Sequence, residues 1–194
     1  QRAYSVNADG VQNLAIIAKE ENIQLIHIST DYVFDGKNDR PYKESDQTNP
    51  LNVYGKSKLK GEQLASDILE KNLLILRTAW LYSYDGSNFL KTISRLLLEK
   101  ENISVVDNQY GTPTRAKSLA QAIYHSIDYG LKGLYHFTDL GDTTWFGFAS
   151  AIRDNLIKRN SSIKIGQLHP VSSKEFPSKI LRPKYTVLDK GKIR

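Results

Sequence analysis

The stretch at residues 25–62, LIHISTDYVFDGKNDRPYKESDQTNPLNVYGKSKLKGE, decides the fold. Its apolar opening predicts a buried β-strand over residues 24–29, and its end predicts a helix that begins at Asn49-Pro50 and runs to about Lys71. A long, polar, turn-rich segment joins the two. A strand followed by a helix that covers it is the repeating unit of a parallel α/β sheet.

The rest of the chain repeats this alternation. Helices are predicted over residues 6–18, 88–99, 118–129 and 144–158, and strands over residues 73–80, 103–106 and 133–138, with a turn at 111–114 and a looser chain after Asn160. The pattern predicts a doubly wound parallel sheet covered on both faces, in which ligands bind at the carboxyl ends of the strands. Thr30 follows the first of these strands and Trp80 ends the second.

The composition describes one globular domain, or one domain with an added lobe. The chain has 194 residues, of which 40% are hydrophobic and 25% are charged. No apolar run is long enough to span a bilayer, so we expect a cytoplasmic protein with no membrane contact. The absence of Cys excludes disulfides and thiolate chemistry, and the four His show no metal-ligand spacing.

The net charge of +6 fits either nucleic acid or an anionic metabolite as a partner. The chain has no arginine-rich arm, no zinc-finger spacing and no aromatic RNA-binding signature. A nucleic-acid-binding module is therefore disfavoured. The basic segment at 179–184 is the one concentrated run of positive charge near the end.

Thr30, Tyr54 and Lys58 form a set suited to acid-base chemistry at a carbonyl oxygen. Tyr54 and Lys58 are four residues apart, which places them on one face of the predicted helix. A Tyr has an ordinary pKa of about 10, and a nearby ammonium lowers that pKa by favouring the phenolate. With 11 Tyr in the chain, one Tyr followed four residues later by a Lys is expected by chance. The pair is informative because it opens the helix that follows a strand ending in Ser29-Thr30.

Several motifs in order along the chain carry a family resemblance. They are STDYVFDG at 29–36, PYKESD at 41–46, PLNVYGKSK at 50–58, RTAWLYS at 77–83, NFLKT at 88–92, VVDNQYGTPT at 105–114, LYHFTDLG at 134–141 and EFPSKILRPKYTVLD at 175–189. Together they resemble the dTDP-4-dehydrorhamnose reductases, which belong to the extended short-chain dehydrogenase/reductases. The resemblance covers nearly the whole chain.

The resemblance implies that Thr30, Tyr54 and Lys58 are the catalytic residues. Tyr54 would protonate the C4 ketone oxygen of a dTDP-linked 4-keto-6-deoxyhexose while NADPH or NADH delivers hydride to C4. Lys58 would lower the pKa of Tyr54 and bind the nicotinamide ribose, and Thr30 would orient the carbonyl. Ser29 is assigned with Tyr54 and Lys58 to the cofactor site.

The resemblance also implies a set of substrate contacts. Asp31, Tyr32 and Trp80 would line the sugar pocket beside Thr30. Asn88, Gln109 and Arg115 fall in segments expected to reach the nucleotide diphosphate, and Arg182 would bind phosphate through its guanidinium. Two alternatives stay open, because Trp80 fits a core position that closes a strand and Arg182 fits a solvated surface.

The chain departs from the family pattern at its start. No glycine-rich turn follows a strand, and the chain contains no Met, so we expect the natural protein to be longer at its N-terminus. We also expect the given chain to stop before the family's final helical segment. Residues 1–82 and about 112–140 would be the remainder of a Rossmann-like cofactor domain without its first strands. Residues from about 83–111 and 141–194 would form a smaller substrate-binding lobe.

Other functions remain as alternatives. The substrate could be another nucleotide-linked 4-keto-6-deoxy sugar, and a superfamily epimerase or dehydratase fits the RTAW and RPKYTVLD segments less well. A non-catalytic regulator similar to the regulatory subunit of methionine adenosyltransferase is the alternative of a different class. Some reductases of this family use magnesium at a dimer interface; a homodimer stays open, and no magnesium site can be located in the sequence.

Overall fold

The computed structural model describes residues 1–176 and 180–194, so Lys179 of the basic segment and the PSK of the EFPSK motif lie outside the described residues. A continuous helical stretch opens the chain and comprises α1 (Arg2–Tyr4), a π-helical turn (Ser5–Asp9) and α2 (Gly10–Glu20). The later helices are a 3₁₀ turn (Asp31–Val33), α3 (Val53–Leu69), α4 (Phe89–Glu99), α5 (Ala116–Asp128) and α6 (Trp145–Arg159). The strands are β1 (Leu25–Thr30), β2 (Leu73–Thr78), β3 (Leu81–Tyr82), β4 (Asn102–Val106), β5 (Tyr110–Gly111), β6 (Thr114–Arg115), β7 (Gly133–His136), β8 (Thr143–Thr144) and β9 (Gln167–Val171).

A three-stranded parallel sheet in the order β1-β2-β7 organises the first half of the molecule. All six residues of β2 are buried, as expected for the middle strand of a parallel sheet with both faces covered. Apolar residues of α2 and α3, such as Ala15 and Ala65, pack on one face, and Leu119 of α5 packs on the other. The predicted α/β fold class is confirmed.

A second core lies between α4, α6 and the parallel pair β4–β9. Strand β9 was not predicted, because only Leu168 of its five residues is buried and Pro170 interrupts the pattern of a strand. The remaining strands form the short pairs β3–β6 and β5–β8. No helix within the described ranges has the length and apolar character needed to cross a membrane.

Two predicted element boundaries are corrected by the structure. Helix α3 begins at Val53 rather than at Asn49-Pro50, because the Asn52 side chain accepts a hydrogen bond from the Gly55 N–H at 2.9 Å and so forms the cap. Strand β2 ends at Thr78 rather than at Trp80. Trp80 has a φ of 45°, a left-handed conformation that cannot continue a strand.

Candidate active site

Thr30 lies at the carboxyl end of β1, where the chain turns into the 3₁₀ helix. Its hydroxyl donates to Asp31 Oδ1 at 3.0 Å and accepts from the Tyr32 N–H at 3.2 Å. The second bond caps the turn, so Thr30 is fixed by its own neighbours. The side chain is buried and its oxygen faces the start of α3.

Helix α3 presents Tyr54 and Lys58 from its first two turns. The Tyr54 hydroxyl lies near enough to Thr30 for the Thr30 side chain to influence its pKa, and the Tyr54 ring meets the Tyr32 ring edge-on with centroids 6.0 Å apart. This approach depends on Gly55, because a Cβ there would lie 2.1 Å from the Tyr32 carbonyl oxygen. Sequence reasoning missed Gly55, although its place directly after Tyr54 was a usable signal.

The Lys58 ammonium lies behind Tyr54, against β1. It donates to the Ile28 carbonyl oxygen at 2.6 Å and lies 3.4 Å from His27 Nε2. Burial lowers the pKa of Lys58, and the nearby Glu62 opposes this shift. Burial, and then Lys58, lower the pKa of His27 to about 4, so the His27 ring is neutral at pH 7 and can accept from the ammonium.

The effect of Lys58 on Tyr54 differs from the prediction. Burial raises the pKa of Tyr54 above its ordinary value, the Thr30 side chain opposes this shift, and the charge of Asp31 adds to it. Lys58 is not among the groups that shift the pKa of Tyr54, so the predicted lowering by Lys58 is not seen in this arrangement. The phenol form of Tyr54 is therefore the favoured one.

Beneath the site, a buried ion pair ties α3 to the sheet. Glu62 receives two parallel hydrogen bonds from Arg77, Nε to Oε1 at 3.0 Å and Nη2 to Oε2 at 2.6 Å. Ser29 donates to Glu62 Oε1 as well. The Ser29 side chain is thus already engaged in the interior, which argues against its predicted contact with a cofactor. Glu62 and Arg77 were not singled out from the sequence.

Two of the predicted substrate residues, Gln109 and Arg182, line one cavity of ≈ 260 Å³. Its walls come from α4, β4, the start of α6 and the segment after β9, with Phe89, Trp145 and Phe176 as aromatic surfaces. Arg182 lies close to the Tyr32 hydroxyl: burial, and then the charge of Asp31, raise the pKa of Tyr32 to about 12, and the charge of Arg182 opposes this shift. Arg182 thus links this cavity to the residues around Tyr54.

Trp80 packs against the second core, as one of its two alternative roles predicts. Its indole stacks on Trp145 with ring centroids 3.6 Å apart and an interplanar angle of 8°. Gly111 makes room for it, since a Cβ there would lie 2.5 Å from the ring. Trp80 is therefore a packing partner of a cavity-lining residue and remains a candidate for sugar contact.

Asn88 and Arg115 lie elsewhere and have structural partners. Asn88 caps α4 by accepting from the Lys91 N–H at 3.1 Å, and it donates to the Ser83 carbonyl at 2.8 Å. Arg115 is exposed and pairs with Asp139 at 3.2 Å. It lines a separate groove of ≈ 970 Å³ that Thr30, Tyr54 and Lys58 do not line. The structure does not bring these two residues to the cavity that holds Gln109 and Arg182.

A parallel α/β sheet, with a Thr at the carboxyl end of one strand and a Tyr and a Lys four residues apart on the helix that follows, is the arrangement of the extended short-chain dehydrogenases/reductases. A family model described as the RmlD substrate binding domain matches residues 1–194. The chain belongs to this family, that of the dTDP-4-dehydrorhamnose reductases.

Individual relatives agree with this. The chain is 41% identical to a dTDP-4-keto-6-deoxy-D-glucose reductase of Streptomyces niveus, over 96% of this chain and 63% of that protein. It is 40% identical to the dTDP-4-dehydrorhamnose reductase of Salmonella typhimurium, over 99% and 66% of the two chains. The crystal structure of the Bacillus anthracis dTDP-4-dehydrorhamnose reductase in complex with NADP superposes with a TM-score of 0.90 at 38% identity, over 97% of this chain and 64% of that one. The chain thus spans just under two thirds of these relatives.

Proposed function

We propose that the protein reduces the C4 ketone of dTDP-4-dehydro-L-rhamnose with NADPH or NADH and so forms dTDP-L-rhamnose. The observation that carries this proposal is the meeting of the Thr30 and Tyr54 hydroxyls at the carboxyl end of β1, with Lys58 one turn behind. The names of the S. typhimurium and B. anthracis relatives support the same reaction.

The chemistry assigned to this chain is proton donation. A nicotinamide cofactor, when bound, supplies the hydride. Tyr54 gives its hydroxyl proton to the carbonyl oxygen as negative charge develops there, and Thr30 holds that oxygen by a hydrogen bond. The Tyr54 side chain is 47% exposed, which leaves its hydroxyl accessible to a substrate.

The residues present fit the reacting end of a nicotinamide cofactor. Lys58 is half-buried; within the described ranges its ammonium makes one short hydrogen bond, to Ile28 O, and it can donate further bonds to a ribose. No glycine-rich turn joins a strand to a helix within the described residues, so we assign none of them to the cofactor pyrophosphate. The B. anthracis relative is described in complex with NADP.

We assign nucleotide-sugar recognition to the cavity between α4, β4 and the chain after β9. Its aromatic walls suit a base, Gln109 can hydrogen-bond, and Arg182 can bind a phosphate with two parallel donors. The division into a cofactor part at 1–82 and 112–140 and a sugar-binding part at 83–111 and 141–194 is proposed on the same grounds. A homodimer, a cytoplasmic location and a role for magnesium stay predictions from the resemblance.

A second candidate substrate is another dTDP-linked 4-keto-6-deoxy sugar. The name of the S. niveus relative, which is 41% identical, supports this choice. The two candidates differ in the configuration of the sugar and share the same carbonyl chemistry. The catalytic residues alone therefore do not choose between them.

The test is oxidation of NADPH and NADH, followed at the nicotinamide absorbance, by the full-length gene product beside the 194-residue chain. We expect turnover with dTDP-4-dehydrorhamnose. Turnover only with another 4-keto-6-deoxy sugar would support the second candidate. If the folded full-length protein oxidised neither NADPH nor NADH with any such sugar, this result would contradict the proposed reduction and favour the regulatory alternative.

A further inference from the structure

His27 is a polar ring inside β1 that the proposed reaction does not yet use. It is buried, and its register partner in the sheet is Ile75 of β2. Side chains alternate along a strand, so His27 shares its face of the sheet with Ser29, which donates to Glu62 of α3. The imidazole therefore lies on the face that α3 covers, where a buried polar ring needs a hydrogen-bonding partner.

The partner is the ammonium group of Lys58. It donates one hydrogen bond to the Ile28 carbonyl oxygen at 2.6 Å, and its Nζ lies 3.4 Å from His27 Nε2. An ammonium group has three N–H donors, and these two acceptors belong to consecutive residues of β1. With two donors turned towards the strand, the third points away from it. A single acceptor would leave the group free to rotate about that hydrogen bond.

The His27 ring can accept this bond in one protonation state only. An imidazole nitrogen accepts when it carries no proton, so the single ring proton must lie on Nδ1 and leave Nε2 free. Burial, followed by the charge of Lys58, lowers the pKa of His27 to about 4, which makes the ring neutral at neutral pH. The contact thus requires a defined tautomer that can be measured.

A neutral acceptor suits this position better than a charged or an apolar side chain. A carboxylate would form an ion pair with Lys58 and draw the ammonium towards β1. An apolar side chain would leave one N–H of a half-buried ammonium without its acceptor, which costs free energy. An imidazole orients the ammonium group while it leaves the positive charge uncompensated.

We propose, resting on the carbonyl reduction assigned above, that His27 is a positioning residue for Lys58. Together with the Ile28 carbonyl, it fixes the rotation of the ammonium group and leaves the third N–H for the ribose contact that we assign to Lys58. His27 acts through Lys58 and takes no proton in the reaction itself. Its loss should therefore weaken cofactor binding more than it slows proton donation by Tyr54.

Two variants of the full-length protein separate hydrogen bonding from packing. His27→Gln keeps an acceptor near the position of Nε2, whereas His27→Phe fills similar space without one. We expect the Kd for NADPH, measured by calorimetry, to rise by about tenfold in His27→Phe and to stay close to its original value in His27→Gln. A loss in His27→Gln as large as that in His27→Phe, or no loss in His27→Phe, would overturn the assignment.

The matched control is His169→Phe. His169 is exposed on β9, and its ring contacts Asn102 of β4 at 2.8 Å, so the substitution also removes a contact between an imidazole and a polar side chain. It should leave the Kd for NADPH unchanged, because His169 does not contact Lys58.

A measurement without substrate or cofactor separates this inference from the proposed reaction. In full-length protein labelled with ¹⁵N at the His rings, long-range proton–nitrogen correlations at neutral pH report which ring nitrogen carries the proton. We expect the His27 proton on Nδ1, and we expect the Nε2 signal to shift in Lys58→Met, which removes the donor. A proton on Nε2, or a signal unchanged in Lys58→Met, would overturn the role of His27 even if His27→Phe does not fold. The expected tautomer in a protein that reduces no keto sugar would contradict only the reductase.

Discussion

Tyr54 has the properties that a proton donor to a carbonyl requires. Its side chain is partly open to solvent, and partial burial raises its pKa above the ordinary value. The raised pKa favours the protonated phenol that the proposed reaction requires. Neighbouring Tyr32 has a pKa raised to about 12, contacts Arg182 and contributes an edge-on ring.

The substitution Tyr54→Phe removes this proton donor and little else. We expect ketone reduction by the full-length protein to fall by at least about 10²-fold, the usual contribution of general acid catalysis. Binding of the nucleotide sugar, measured by calorimetry, should stay nearly the same. Tyr124→Phe, at a hydroxyl exposed on α5, is the matched control; retained turnover in Tyr54→Phe would exclude Tyr54 as the donor.

For single residues, the sequence predicted the meeting of the proposed catalytic residues better than that of the proposed substrate contacts. Thr30, Tyr54 and Lys58 could be placed together because the end of a strand and the first turns of the following helix must meet at one sheet edge. The capping role of Asn88 could not be foreseen, because an Asn that binds a phosphate and an Asn that caps a helix look the same in a sequence. The partner of Ser29 could not be foreseen either, because Glu62 lies 33 residues away.

Helix α3 carries two of the three proposed catalytic residues, and its cap sets where it begins. Asn52 accepts from the Gly55 N–H at 2.9 Å and donates from Nδ2 to the Leu181 carbonyl at 3.0 Å. The same side chain therefore holds both Tyr54 in the first turn and the segment that leads to Arg182. The sequence suggested a start at Asn49-Pro50, because Pro also favours first turns.

Replacing this cap by Asn52→Ala should lower the free energy of unfolding by about 1 kcal/mol, as for other caps, in urea titration. It should also lower kcat/KM, because the first turn that positions Tyr54 loosens. Asn88→Ala removes the corresponding cap of α4 and should cost similar stability without the loss of activity. Equal effects of the two variants on kcat/KM would contradict the positioning role of Asn52, and would reopen a substrate contact for Asn88.

The pair Glu62–Arg77 fixes α3 against β2 and should be sensitive to the loss of one partner. Both side chains are almost completely buried, so Glu62→Gln would leave Arg77 as an unpaired charge. We expect a loss of about 3–5 kcal/mol in the free energy of unfolding. The exposed pair Arg95–Glu99, joined at 2.6 Å, gives the control Glu99→Gln, which should change stability by less than about 0.5 kcal/mol. A small effect at Glu62 would mean that water reaches the pair.

At the scale of the whole molecule, the cavity that we assign to the nucleotide sugar is formed by residues far apart in the sequence. The central sheet was predictable because β1, β2 and β7 are apolar runs separated by helices. The cavity instead joins α4, β4 and the start of α6 with Phe176 and Arg182. Strand β9, which precedes Phe176 and Arg182 in the chain, has too little alternation of apolar and polar residues to be recognised as a strand from the sequence. Gln109 and Arg182 could be proposed as substrate contacts from the sequence, but only the tertiary fold shows that they line the same cavity.

Arg182 is the residue through which this cavity meets the catalytic residues, so its loss should affect binding more than chemistry. Arg182→Ala should weaken nucleotide-sugar binding by about ten- to a hundredfold, as for other hydrogen bonds from a charged donor, with a smaller change in kcat. Calorimetric titration with the dTDP-sugar and with dTDP would measure it, and similar losses for both ligands would place Arg182 at the diphosphate. Arg153→Ala, at an Arg paired with Asp154 on the surface of α6, should leave both affinities unchanged. Unchanged binding in Arg182→Ala would contradict a phosphate contact and support the alternative that Arg182 is a solvated surface residue. The contact of Arg182 with Tyr32 would then serve packing alone.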